Sequence, residues 1–525
     1  MNNLKIVLKA AVVASIAFTS CTKNLDRKPG VGTYVDDVYA TADGYKSQLA
    51  KVYSAFALTG SGGPGTSDLG GIDAGTSDFL RLYWNAQQLT TDETICAWND
   101  PGVPDFHNMN WTSSNVILNG LYNRSLYQVT IANTFLKEAA PDKVSGRGIS
   151  GADADNITQY AAEARFLRAY QYSVLMDLFG NPPFVTENDP IGSFLPPQIL
   201  RADLFTYIET ELKAIEPILA DAKTNEYGRA DKAACWALLA RIYLNAKVYT
   251  GTDRSADALT YSEKVINAGF QLKTNYAQLF YADNNVDNSE VILSINYDLL
   301  QTQNYGGTTF LVNASINGAM NPSSFGVPSG GWGGNRSTKN LPDLFPDISG
   351  FTDQRAMFYG TKEEIDNVGE FTDGLRVTKY RNINSDGSIP ANAGTFSNVD
   401  FPLFRLGEMY LIYAEAQLRS GGGDAATAVQ YFNTLRERAW GGSTAGNVSS
   451  ITLDDVLNER GRELYWEGFR RTDLIRFDKF TPGTYLWPWK GGVKSGTGVD
   501  AHFNLFPIPS TDIIANPNLK QNPGY

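Results

Sequence analysis

Stretches of helical periodicity with small residues on one face set the narrowest limit on how this chain can fold. Residues 158–179 read as one amphipathic helix, Thr-Gln-Tyr-Ala-Ala-Glu-Ala-Arg-Phe-Leu-Arg-Ala-Tyr onward, stopped by Gly180 and Pro182-Pro183. Residues 203–221 give another, with Asp203 as its N-cap. Lys232–Leu244 and Asp257–Ala268 form a helix pair in which Ala233, Ala237, Ala240 and Leu244 are spaced for close packing on a partner. Residues 403–419 and 424–439 form a second pair, split by Gly421-Gly422-Gly423. Such pairs resemble tetratricopeptide repeats, yet they are degenerate and scattered, so they suit a scaffold with insertions better than a continuous solenoid. The expected fold class is mainly α: tetratricopeptide-like helix pairs as scaffold, with long irregular loops and a few short strands.

The insertions have their own composition. Residues 59–77 are rich in Gly, Ser and Thr, and 301–340 and 381–400 in Gly, Asn and Ser with isolated aromatics. Glu290–Asn296 alternates enough for a strand. Long loops on a rigid frame are where binding surfaces concentrate. No linker divides residues 21–525, which read as one domain.

Residues 1–20 differ from everything after them. Lys5 and Lys9 precede an uncharged run, Ala10–Ser20, that is too short to span about 30 Å of hydrocarbon as a permanent helix. It ends Phe18-Thr19-Ser20-Cys21, which resembles the lipobox of bacterial lipoproteins, with Phe18 where leucine is usual. The expectation is a cleaved signal peptide, 1–20, and a lipid anchor on Cys21, followed by Thr22–Gly32 as a polar tether. More than one acyl chain holds a protein on a membrane firmly. The chain is therefore expected at a membrane surface outside the cytoplasm.

The bulk composition narrows the function classes. The 525 residues carry a net charge of −12; without the leader, 42 basic residues face 56 acidic ones, or −14. That balance argues against nucleic acid and against adhesion to anionic lipid. Aromatics reach 12% alongside 49 glycines, a mixture suited to flat stacking surfaces on loops. After Cys21 only Cys96 and Cys235 remain, and His107 and His502 are the only histidines, so neither a disulfide framework nor a metal site is expected. Cys235, in an Ala/Leu-rich helix, reads as a small buried hydrophobe, and Cys96 falls in a polar loop.

In the C-terminal third the residues become specific. Phe404-Arg405-Leu406-Gly407-Glu408-Met409-Tyr410-Leu411-Ile412-Tyr413-Ala414-Glu415-Ala416 resembles a signature helix of the SusD/RagB family of nutrient-uptake lipoproteins. Asn458–Leu464 (Asn-Glu-Arg-Gly-Arg-Glu-Leu), Trp466–Arg476 and the terminus from Leu505-Phe506-Pro507-Ile508-Pro509 to Asn516–Tyr525 are similar to later blocks of that family. Ala162–Tyr170 and Asp177-Leu178-Phe179-Gly180 match upstream. The resemblance implies four tetratricopeptide-like units and an irregular ligand-facing half. It also implies a partner, a SusC-type TonB-dependent outer-membrane barrel, to which a surface-exposed outer-membrane lipoprotein hands a polysaccharide or oligosaccharide. Some relatives of RagB are thought to take peptides, and a surface-tethered glycosidase is a further alternative.

Catalytic signals are weak. Glu459, Glu463 and Glu467 repeat at i, i+4, i+8, but carboxylates on one helix face stand side by side rather than across a sugar, and Arg460, Arg462, Arg470 and Arg471 surround them. Ion pairing is the favoured reading, and helix anchoring for Glu408 and Glu415. Gly60-Ser61-Gly62-Gly63-Pro64-Gly65 matches a bare GxGxxG, with no strand before it or βαβ unit after it. His107 would need an unidentified serine and carboxylate to form a triad. No catalytic residue, cofactor or metal ligand is assigned, and Asn110-Trp111-Thr112 carries no weight as a glycosylation site in a bacterial-type lipoprotein.

Two aromatic clusters are better candidates for sugar, whose apolar C–H faces lie on rings while amides, carboxylates and Arg bind hydroxyls. One runs Asp78-Phe79-Leu80-Arg81-Leu82-Tyr83-Trp84 to Ala97-Trp98-Asn99-Asp100 and Asp105-Phe106-His107. The other is Gly330-Gly331-Trp332-Gly333-Gly334-Asn335-Arg336. The candidate carbohydrate-binding residues are Asp78, Arg81, Trp98, Asn99, Asp100, Trp332, Asn335 and Arg336. Sugar stacking and core filling are equally open for Trp98 and Trp332, while Trp84 and Trp111 lean to core. Tyr380 and Arg381 are a third, weaker pair.

Overall fold

The computed structural model describes residues 35–525 except Ile191 and Ser193, so the leader and Cys21 lie outside the described residues. Helices α1 (Ala42–Ser54), α2 (Phe79–Gln88), α3 (Val116–Glu138), α4 (Ala152–Phe179) and α5 (Arg201–Ile215) make up the N-terminal part. Each begins or ends where local chemistry requires. Thr41, Asp78 and Asn115 cap α1, α2 and α3 through side-chain oxygens, and α4 stops at Gly180 in a positive-φ conformation (φ 73°). Asp203 does not cap α5; it sits in the first turn, and the helix ends at Ile215 instead of residue 221. Helices α1, α3 and α4 pack on one another, and α5 packs on α4.

Helices α6 (Lys232–Leu244) and α7 (Ser255–Ile266) follow. The alanine face of α6 is wholly buried: Ala233, Ala237 and Ala240 expose nothing, and the Cys235 thiol donates to Leu212 O at 3.3 Å. Small side chains let α7 approach α6 closely, and α7 in turn meets α8 (Leu406–Ser420). Helix α8 ends at Gly421 in the left-handed region (φ 67°), and Asp424 caps α9 (Ala425–Ala439) through Ala426 N and Thr427 N. Thr452 and Asp455 form a reciprocal capping box at the start of α10 (Leu453–Leu464), and α11 (Arg470–Arg476) follows. The molecule is mostly helical, as the periodicity requires. Among the described residues no helix is long and apolar enough to cross a membrane.

Strands are few and short. β1 (Ile95–Cys96) pairs with β3 (Asn335–Arg336), β4 (Phe358–Tyr359) with β5 (Arg376–Val377), and β2 (Val291–Ile295) with β6 (Phe401–Arg405), all antiparallel. β6 occupies residues expected at the start of a helix, so α8 begins at Leu406 rather than 403. Cys96, expected in a polar loop, is instead a buried strand residue, and burial pushes its thiol up to about 12. Trp84 and Trp111 are core: the Trp84 ring sits 5.1 Å from that of Trp466, and its Nε1 donates to Trp466 O at 3.0 Å.

A buried charge lattice joins the C-terminal elements. Arg405 on β6 donates to Glu290, Glu463 and Glu467; Arg355 reaches Asp353, Glu459 and Glu463; and Arg438 on α9 reaches Glu290 and Glu463. Lys379 Nζ lies 2.7 Å from Glu467. Despite burial, the surrounding guanidinium groups hold the Glu463 carboxyl well below the usual carboxylate range, and that of Glu459 at about 2. The three carboxylates are ion-paired, but mostly to partners distant in sequence; of the four local arginines only Arg462 binds one, Glu459. Arg460 pairs with Asp473 and Arg470 with Asp92, and Glu467 lies beyond the helix, after Trp466 at φ 64°. Glu408 binds Arg241 of α6, and Glu415 binds Arg419 and Arg476, locking helices together.

Candidate functional site

The two aromatic clusters, more than two hundred residues apart, meet through the β1–β3 ladder. Cys96 pairs with Asn335, and Ala97 N donates to Gly334 O at 2.9 Å. This seats the Trp98 indole on the backbone of Gly334, where a Cβ would stand 2.3 Å from Trp98 Nε1 and φ is +111°. Only glycine fits there. Trp98 is half-buried, its other edge against Phe310 at 5.9 Å.

Helix α2 supplies the next group. Asp78, its N-cap, accepts from Arg81 N at 2.9 Å and from Gly307 N at 2.7 Å, joining α2 to the 301–307 loop. The Arg81 guanidinium lies 4.7 Å from the Phe310 ring centroid and 5.6 Å from that of Trp98, and its Nη1 donates to Tyr305 O at 3.2 Å. Its Nε is buried and has no partner among the described residues. Tyr305 is 41% exposed, with its ring 6.4 Å from Trp332 at 46° and 5.4 Å from Phe396 at 49°. The rings of Trp332, Tyr305 and Phe396 therefore form a bent surface. Asn99 and Asp100 are exposed, and a cleft of about 370 Å³ opens beside Trp98, lined by Asp73, Thr76, Arg81, Asn85 and Asp100.

Three candidates do not face solvent. Asp78, Asn335 and Arg336 are fully buried, because Asp78 is spent on the helix cap and the other two form β3. Burial, partly offset by its two N–H donors, raises the Asp78 carboxyl to about 6. Residues 79–84, read as part of an aromatic loop, belong to α2. Tyr380 is also core, stacked 6.2 Å from Phe401, and Arg381 bonds to Thr378. His107 is half-buried, and burial pushes its imidazole down to about 4. Nothing in the sequence around Tyr305 marks it as a ligand contact. Its loop is placed by bonds to residues 224 and 229 positions away, which no local pattern reveals.

Partly exposed, tilted rings beside an arginine and a carboxylate suit a polyhydroxylated ligand with apolar faces. A family model described as the SusD family matches residues 353–525, and one described as starch-binding, associating with the outer membrane, matches 81–244. The starch-binding protein SusD of Bacteroides thetaiotaomicron is 36% identical over 575 aligned positions that cover 99% of each chain. The chain belongs to the SusD family. Solved SusD-like folds superpose well: a surface glycan-binding protein A from Bacteroides uniformis gives a TM-score of 0.70 over 92% of this chain and 99% of that one, at 21% identity. Its counterpart from Bacteroides thetaiotaomicron, solved with laminarihexaose, gives 0.68 at 20% identity, covering 91% of this chain and 99% of that one. At those identities the likeness establishes the SusD fold alone.

Proposed function

We propose that this SusD-family chain is a non-catalytic, surface-exposed lipoprotein that captures a glucan of starch type for a SusC-type TonB-dependent outer-membrane barrel. The observation that carries the reading is the bent aromatic surface of Trp332, Tyr305 and Phe396, beside Trp98 and Arg81. Rings tilted by 46° and 49° follow a curved chain better than a flat ribbon, and α-linked glucans curve. The 36% identity to a protein named for starch binding supports the same ligand class. Cys21 with the Thr22–Gly32 tether provides the anchor, and sugar rings stack on the aromatic faces while Arg81, Asn99 and Asp100 meet hydroxyls.

Affinity electrophoresis of the purified protein against amylopectin, laminarin and a β-1,4-glucan tests this. Amylopectin is expected to retard it most, without release of reducing ends, and Trp98→Ala or Trp332→Ala to weaken retention roughly tenfold each. Equal mobility in every gel, or retention untouched by both substitutions, contradicts the reading.

A further inference from the structure

Trp332 is followed by a glycine that packs against another aromatic ring. The next residue, Gly333, lies at φ +66°, and a Cβ on it would stand 3.3 Å from Phe371 Cδ1, so the Phe371 ring rests against this glycine just as Trp98 rests on Gly334. Two rings thus flank one Gly-Gly dipeptide, and with consecutive Cα atoms 3.8 Å apart they lie within about 12 Å of each other. Phe371 is 39% exposed.

Its loop is braced from below. The buried Arg336, turned away from solvent, donates to Glu370 O, to Val368 O at 2.6 Å and to Asp373 O at 3.3 Å. Arg376 Nη2 donates to Phe371 O at 2.7 Å. The Asp373 carboxylate accepts from Asp366 N at 3.0 Å and from Asn367 N at 2.9 Å. An exposed ring on a loop fixed by this many bonds meets a ligand with little ordering cost.

Resting on the glucan reading above, we infer that Phe371 extends the binding surface past Trp332, adding a stacking position that only a longer glucan chain reaches. Arg336 is the positioning residue that holds it. The selectivity for chain length then comes from the 366–374 loop, and the ring itself acts as a contact.

Calorimetric titration with maltotriose and maltoheptaose tests this on the full chain, Phe371→Ala and Phe371→Trp, with Trp98→Ala as comparator. Phe371→Ala is expected to weaken maltoheptaose roughly three- to tenfold and leave maltotriose unchanged, with Phe371→Trp restoring the longer ligand. Trp98→Ala should weaken both. If Trp98→Ala weakens both and Phe371→Ala neither, the extension is overturned while the glucan reading stands. If the unaltered protein binds neither sugar, the glucan reading fails and takes the extension with it.

Discussion

Asp78 carries more of the site's geometry than its buried position suggests. One oxygen holds both the first turn of α2, which aims Arg81, and Gly307, which places Tyr305 two residues earlier. The other oxygen is buried without a partner among the described residues. Its carboxyl is raised from 3.8 to about 6 by burial, so between those values the folded chain keeps a proton that the unfolded chain has released. The contribution of this group to stability is thus present at low pH and lost as pH rises through 6. Asp78→Asn keeps the accepting oxygen and removes the titration. Its stability relative to the unaltered protein should improve from pH 4.5 to 7.5 by about 2 kcal/mol, read from urea midpoints. A difference that does not change with pH contradicts this account. The aspartate was legible in the sequence as a polar group near aromatics, and its role as a cap was not, because seven residues of loop and helix had to be told apart from composition alone.

At the scale of elements, the charge lattice does the joining. Glu463 on α10 is bound by Arg405 of β6, Arg355 and Arg438 of α9, all buried. Glu463→Ala would leave three guanidinium groups short of an anion and should cost roughly 3–5 kcal/mol, measured by denaturant unfolding with circular dichroism. A loss under about 1 kcal/mol would mean that the remaining carboxylates suffice. Elements were legible where small residues repeat at helical spacing: Lys232–Leu244 runs as expected to the residue. They were less so where tertiary contacts decide, as at β6, whose pairing with Val291–Ile295 overrides the helical pattern of residues 403–405. The carboxylate triplet shows both sides, since its spacing points to ion pairs while its partners come from four other segments.

For the whole molecule, the family blocks near the C-terminus made the fold legible, because the Arg405, Glu408 and Glu463 contacts that they encode are the scaffold itself. The ligand surface was legible only in part. Trp98 stands out as an indole among polar residues and Trp332 as one between glycines, while Tyr305 needs the folded chain to bring it beside Trp332. The proposed tether belongs to this scale too. Cys21→Ala should move the protein from the membrane to the soluble fraction while leaving amylopectin retention intact, a division checked by fractionation and electrophoresis on the same preparation. A variant that loses its fold along with its anchor contradicts that separation. The most direct test of the central claim is amylopectin retention of the triple variant Trp98→Ala, Tyr305→Ala, Trp332→Ala, with its fold confirmed by circular dichroism. The account predicts that retention disappears in a folded protein; full retention by that variant would place the glucan elsewhere on the molecule.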